Sequence, residues 1–491
     1  MTSGRLSALS SLIYRKGAPL VVLLAACGHA FAQESWLGVY FGEAKIGYSH
    51  VKISRVTRGG RQLYRVYSVT VTRMALLGQP VEQRMVMTQW LDRRWAPRLV
   101  DFSMDSGGHR TELRAIFTQK YVKCQFSSGG TTTQKLIPIP KGANLILDPS
   151  MMLARAVKPG KKLRFHYLNT VSVAIEPGVA EVLRREAVTV GGVTYNALVV
   201  KTTMPMGTII HWQDDRGELL RAEAMMGITM VKETREQALS LPDTKYAPPA
   251  DIAAAIAVKS DTLIEEPRKV RMLKLRMASP EEIPLVADGR QSFAPVQSQN
   301  GLKAVELTIS ARDLDAQKAL KLQAIPRREF KEYLAPGPYI QSRDPRIVRL
   351  AREVVGSEDN ALLAVVRLRD WVYSNMKVQS NIGVLRSAVD VLNHRAGVCR
   401  DYAILYAALA RAVGIPTRLA AGLMYVDGAF YYHAWAESYV GWWVDVDPTL
   451  PTAFVDATHV KLVRGDVSSI VSASRVMGNL KAEVLEYNNA F

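Results

Sequence analysis

The chain has only three cysteines in 491 residues, and one of them, Cys27, falls in a segment that reads as a leader. The other two, Cys124 and Cys399, are too few for a disulfide framework. A single bridge between them is the one disulfide that remains, and the two lie in segments of different character. After residue 32 no stretch reaches the ~18 uninterrupted apolar residues of a membrane helix, so no transmembrane span is expected in the mature chain. The eight histidines are scattered without ligand-like clustering, and neither a metal nor another cofactor is expected. No basic stripe is interleaved with aromatics and no nucleic-acid fold signature occurs, which excludes nucleic acid as the expected partner. Internal repeats and low-complexity tracts are missing as well.

What is present begins with residues 1–32, which carry Arg5, Arg15 and Lys16, no acid, and the apolar run APLVVLLAACGHAFA. This is the pattern of a secretory signal peptide, and the run is shorter than the ~20 residues a bilayer requires. Two processing sites compete. The small-x-small AFA at 30–32 leaves a soluble chain beginning at Gln33, whereas LAAC at 24–27 resembles a lipoprotein box and leaves a lipid anchor on Cys27. The soluble, periplasmic form is the expected one. Loss of the leader takes three cations from a formal charge of +18 and leaves +15. That balance suits either a polyanionic neighbour such as cell-wall polymer or lipid head groups, or simply a soluble basic surface.

The remaining length suggests about three domains at ~150 residues each. Residues 33–241 alternate with period two, as in RQLYRVYSVTVT and VTYNALVVKTTM, with β-branched and aromatic enrichment and turns such as RGG and SSGG. An antiparallel β domain follows from this, a twisted sheet or half-barrel. HWQDDRGELLRAEA reads as a hairpin turning at Asp214–Gly217. Residues 242–254, Pro-rich and aperiodic, read as a linker. KVRMLKLRM and AVELTISARD, within 255–330, form either a small β domain or an extension of the first.

Residues 331–491 change to the helical period. Asp344 caps and Pro345 opens a helix whose stripe is Ile347, Leu350, Ala351, Val354 and Val355. Ser357 is expected to open a second helix through Ala361, Val365, Leu368 and Val372, and Ser387 a short third one that Gly397 ends. The next begins at or beside Cys399, with Ile404, Leu405, Ala408, Leu409 and Val413 at helical spacing. A thiol at a helix N-terminus feels the positive end of the dipole, which favours the thiolate. Three short strands follow, divided at Asp427-Gly428 and at Gly441. His433 lies in the second, and Asp445 and Asp447 lie at the end of the third. Adjacent strands can bring an imidazole to a carboxylate, and this residue set, Cys, His and Asp, is what thiol catalysis needs: a nucleophile, a proton acceptor and a group that orients it. Asp447 precedes Pro448, where the ladder must stop, and so is freer to turn toward the histidine. Asp445 is left a surface or structural contact.

Three blocks here, AGVCRDYAILYAALARAVGIPTR, HAWAES and WWVDVDPT, resemble the transglutaminase-like superfamily, over roughly residues 335–450 with a weaker tail at DATHVKLVRGD. The resemblance implies an α+β protein, with a papain-like transglutaminase core at the C-terminus behind the large antiparallel β region. It further implies Cys399 as nucleophile, His433 as general base and acid and Asp447 as the orienting carboxylate. The Cys399 N–H would serve the oxyanion, with Asn393 a weak second donor. The expected function is a cysteine-dependent hydrolase or acyltransferase acting on amide bonds in the cell envelope through a thioester. Its partner is a protein, peptide or peptidoglycan-like substrate, with an envelope partner for the N-terminal β region. The alternative is a non-catalytic envelope binding or assembly protein in which the β region is the working part. Mass spectrometry of the mature N-terminus is expected to find unmodified Gln33. A diacylated Cys27 would instead anchor the chain, and an intact, unexported residue 1–32 segment would remove export from the account.

Overall fold

The computed structural model describes residues 33–76, 78–153, 159–241, 251–299, 301–453 and 455–489. The leader, with both of its processing sites, and linker residues 242–250 lie outside the described residues. Two compact units emerge, one built from residues up to Ser128 and from Thr132 to Asp251, the other from Ile252 onward together with Gly129–Thr131.

The first unit is one fourteen-stranded sheet. Eight strands meander from Gln33–Phe41 to Thr131–Pro138. The chain then returns at the opposite edge with Lys162–Asn169 and meanders back through six strands to Ile228–Glu233. The last strand pairs antiparallel with the first, Trp36 opposite Glu233, so the N-terminal strand lies inside the sheet, and the Lys162–Asn169 edge is covered in part by a parallel bridge from Leu145 to His166. Alternation drives this arrangement, as in His109–Phe117, where every second side chain is buried, the period that puts successive side chains on opposite faces. Apolar clusters such as Val51, Ile53, Val66 and Leu91 form the core. Polar groups join them there in pairs, Ser49 with Thr70 at 2.9 Å for example. The hairpin at Asp214–Gly217 is present, with Asp214 Oδ1 accepting from the Arg216 and Glu218 N–H groups.

In the second unit the expected linker end is instead a short helix, Ile252–Ile256, with Ile252, Ala253 and Ile256 buried. The strands of 255–330 are completed by the far end of the chain: Met272–Ser279 lies between Leu302–Ser310 and the final strand Lys481–Asn488, with Gln291–Gln299 outermost. This small sheet therefore belongs to the C-terminal unit, a closure that short-range patterning does not reveal.

Four helices follow: α1 (Pro345–Val355), α2 (Ala361–Asn375), α3 (Ala388–His394) and α4 (Cys399–Ala412). Asp344 caps α1 with Pro345 at its first turn. Helix α2 is opened by Asn360, not Ser357, because the Asn360 side chain accepts from the Leu362 and Leu363 N–H groups while Ser357 directly follows the end of α1 at Gly356. Ser387 caps α3 as expected. Its end is made by Arg395 in a left-handed conformation, φ 47°, and not by Gly397. Helix α4 is buried on every side from Cys399 to Arg411 and carries no single apolar stripe. The other three helices pack around it and its remaining surface meets a sheet. That sheet contains β1 (Thr417–Val426), β2 (Ala429–Tyr439), β3 (Trp443–Val446) and β4 (His459–Gly465), with β1 between β2 and β4 and β3 on the far side of β2. Gly422 on β1 has to be glycine: a Cβ there would lie 1.8 Å from the Val460 carbonyl oxygen. The close approach lets β4 lie against β1, which itself pairs with the β2 strand carrying His433.

Candidate active site

Cys399 is the first residue of α4, and α4 packs on β1 and β2. Asp401 accepts from the Val398 N–H at 2.9 Å and fixes the helix entrance. Arg386, wholly buried, approaches the same carboxylate at 3.2 Å. Gly397 is placed by this pair and not by helix termination, since a Cβ would lie 2.4 Å from Asp401 Oδ2 and 2.5 Å from Arg386 Nη2. The buried guanidinium of Arg400 donates to the Ile382 and Val384 carbonyl oxygens at 2.8 and 3.0 Å and pins the segment before α3. Burial pushes the Arg400 pKa down, with Asp401 and Cys399 opposing. Cys399 thus stands at the positive end of a helix within the field of the Arg400 guanidinium, both of which favour a thiolate. Cys124 sits in the first unit, where burial pushes its thiol up to about 11. Neither cysteine is in a disulfide.

His433 Nε2 donates to Asp447 Oδ2 at 2.6 Å, with both side chains fully buried. The other ring nitrogen, Nδ1, is buried and has no hydrogen-bond partner among the described residues. Asp447 lies one residue past the end of β3, and its Oδ1 accepts from the Thr449 N–H and hydroxyl at 2.8 and 2.7 Å. A second histidine, His459 on β4, reaches Asp447 Oδ2 at 3.2 Å. The carboxylate thus meets four donors, as many as its lone-pair sites accommodate. Sequence reasoning missed His459 and Thr449. Both lie in family-like segments, His459 in DATHVKLVRGD and Thr449 at the end of WWVDVDPT, but neither segment alone says that they meet Asp447.

Asp445 has a different set of partners. It accepts from Trp435 Nε1 at 2.6 Å and pairs with Lys461 at 2.9 Å and Arg290 at 3.1 Å. Lys461 Nζ also contacts Asp288 and Glu437, each at 2.7 Å, and Glu437 takes Arg418 at 2.7 Å. Asp445 is buried, so it is no surface contact. Burial alone would raise its carboxyl, but Lys461 and Arg290 overcome this and hold it well below the usual carboxylate range. Asn393, the weak oxyanion candidate, is exposed on α3.

Two groups of side chains here have metal-ligand composition: Asp288 with Glu437 and Asp445, and His433 with Asp447 and His459. In the first, the Lys461 ammonium already sits among the three carboxylates. In the second, the 2.6 Å contact between His433 and Asp447 is closer than ligands on a shared ion, which lie roughly 3 Å or more apart when metal bonds are about 2.0–2.1 Å. Both groups are hydrogen-bonded networks.

Residues 348–448 match the model of the transglutaminase-like superfamily, and residues 38–232 match a family described as a protein of unknown function, DUF3108. An uncharacterized protein of Mycobacterium leprae, ML0607, is 29% identical over 131 residues, which cover 24% of this chain and 46% of the relative. The chain thus spans about half the length of that curated relative. A candidate cysteine protease of Cytophaga hutchinsonii is 20% identical, with 45% of this chain and 89% of that one covered at a TM-score of 0.31. The periplasmic domain of TgpA from Pseudomonas aeruginosa, solved with ethylmercury bound, is 18% identical, with 41% and 94% covered at a TM-score of 0.29. No helix among the described residues is long and apolar enough to cross a membrane.

The two aspartates should separate in stability. Asp445→Ala leaves Lys461 and Arg290 short of a buried partner and is expected to cost about 3 kcal/mol or more, as breaking a buried ion pair does. Asp447→Asn, whose amide oxygen still accepts a hydrogen bond, should cost less. Urea unfolding of both variants checks this, and an Asp445→Ala protein as stable as the parent would contradict the assignment.

Proposed function

We propose that this chain, whose residues 348–448 form a transglutaminase-like domain, is a cysteine-dependent hydrolase or acyltransferase acting on amide bonds of protein, peptide or peptidoglycan-like substrates in the cell envelope. The observation that carries this reading is the buried His433–Asp447 pair at 2.6 Å, which leaves His433 Nδ1 unbonded. That nitrogen is the proton acceptor a nucleophilic thiol requires, in a domain whose cysteine opens a helix. The envelope assignment rests on the leader-like residues 1–32.

In this reading His433 Nδ1 takes the Cys399 proton and the thiolate attacks the amide carbonyl carbon. Negative charge moves to the carbonyl oxygen, where the Cys399 backbone N–H at the helix mouth is the donor. Collapse of this adduct breaks the C–N bond, and His433 returns the proton to the leaving amine. A thioester on Cys399 remains. Water gives hydrolysis and a second amine gives transfer; in either case His433 removes the proton from the incoming group and then returns one to the departing sulfur. Asp447 holds the ring through Nε2–H and stabilises the imidazolium between these steps.

A second reading, a non-catalytic envelope binding or assembly protein, is favoured by one observation: Cys399 and His433 are only 3% and 1% exposed. Incubation of the mature chain with envelope proteins and cell-wall fragments separates the two. A cleaved or cross-linked product is expected that Cys399→Ala abolishes and Cys124→Ser leaves intact. Asp447→Ala should lower its rate by a factor on the order of 10² or more, the scale of losing an imidazole's orienting partner. Products unaffected by Cys399→Ala, or none from any fraction, would favour the binding protein.

A further inference from the structure

Beyond the three residues of that reading lies a longer chain of charge, buried at Asp456 and His459 and half-buried at Arg268. Arg268 Nη1 donates to Asp456 Oδ2 at 2.9 Å, and its Nη2 reaches Thr458 Oγ1 at 3.2 Å and the Tyr425 carbonyl oxygen. Asp456 Oδ1 accepts from the Thr458 N–H and hydroxyl at 2.9 and 2.5 Å and faces His459 Nδ1 at 3.3 Å. His459 Nε2 lies 3.2 Å from Asp447 Oδ2, the same oxygen that His433 contacts. The His459 side chain is fully buried, with the edge of Trp435 against it at 5.5 Å between ring centroids.

We infer that His459 is held as an imidazolium between Asp447 and Asp456 and is a positioning residue that tunes Asp447, and through it His433; this rests on the catalytic reading of Cys399, His433 and Asp447. Each of its ring nitrogens faces an ionised carboxylate, which only accepts hydrogen bonds. A neutral ring would turn a lone pair on one of those oxygens, with both side chains fully buried. A protonated carboxyl is no alternative at Asp456, where burial raises the group but Arg268 and His459 together hold it well below the usual range. Burial presses the His459 pKa down as well, yet the charge of Asp456 and the hydrogen bonds to both carboxylates raise it overall, with Arg268 opposing. The charged and titratable groups around His459 are Asp447, Asp456, Arg268 and the His433 ring 5.7 Å away, with Arg369 of α2 acting on Asp447. Opposite His459 on β1 stands Met424, which brings no charge.

The consequence has a sign. A cation on the far side of Asp447 offsets part of the negative charge that His433 feels, so the His433 imidazolium gives up its proton at a lower pH than it would beside a lone aspartate. Thr449 fixes the carboxylate's other oxygen. His459 therefore acts on proton affinity without touching substrate.

The test labels the mature chain with [13Cε1]histidine and follows the His433 and His459 resonances from pH 5 to 9, with assignment by His433→Gln and His459→Gln. The His459 signal is expected at the imidazolium position throughout, and the His433 midpoint should rise on the order of one unit in His459→Gln. Asp456→Asn, which removes one of the two anions, should give His459 a midpoint inside that range. A parent His459 signal that titrates like an ordinary histidine near pH 6.5 overturns the inference, and so does a His433 midpoint unmoved in folded His459→Gln. The parent measurement stands even where a variant fails to fold. Because no turnover is read, loss of the catalytic reading through the Cys399→Ala product assay is a separate outcome.

Discussion

A single buried carboxylate, Asp447, organises the C-terminal unit around the candidate site. It accepts from His433 on β2, from His459 on β4 and twice from Thr449 in the turn just beyond β3. Each donor comes from a different part of the fold, so correct placement of the carboxylate requires β3 to end where it does and β4 to pack closely on β1. Pro448 stops β3 by withholding an N–H, and Gly422 permits the close packing by having no side chain. An acid buried this deeply is costly unless every lone pair is met. Here all of them are met, and the same bonds that relieve the burial also orient the imidazole.

Charge in this unit is arranged in separate sets. Lys461, Arg290 and Arg418 face Asp288, Glu437 and Asp445, while Asp447 and Asp456 share His459 with Arg268 behind. Arg290 joins the two by donating to the Asp456 carbonyl oxygen at 2.8 Å. Asp445 and Asp447 alternate along one strand and look equivalent in the sequence, yet they serve different sets because the first stays within the ladder and the second lies beyond it. The pH responses of Asp445 and Asp456 differ in sign from that of His459. A lowered carboxyl such as Asp445 or Asp456 adds stability that is present above its unfolded pKa, near 4, and lost as pH falls. The raised His459 adds stability that is fully present below about 6.5 and lost as pH rises through its folded value.

Much of this was legible in the sequence where a local rule applies. Period-two alternation gives the large sheet, Asp344-Pro345 and Ser387 give their helix starts, and a cysteine behind Gly-Val gives the α4 entrance. Asp447 over Asp445 follows from the proline beside it and from the family match. Long-range features were not legible. No local pattern says that Lys481–Asn488 joins a sheet begun two hundred residues earlier, that Gly397 accommodates an ion pair, or that His459 arrives beside Asp447 from another strand. Cap rules also admit rivals: Ser357 and Asn360 are both good caps, and only the path of the chain after Gly356 selects Asn360.

In the proposed reading Cys399 and His433 act as a thiolate–imidazolium pair oriented by Asp447. The rate of iodoacetamide alkylation of Cys399 as a function of pH, in the mature chain and in His433→Ala, tests it most directly, since it needs no substrate. The parent rate is expected to hold well below the ordinary thiol pKa of about 8.5, and His433→Ala to return the profile toward that value. A parent Cys399 that titrates like an ordinary thiol, with a profile unchanged in His433→Ala, would contradict it.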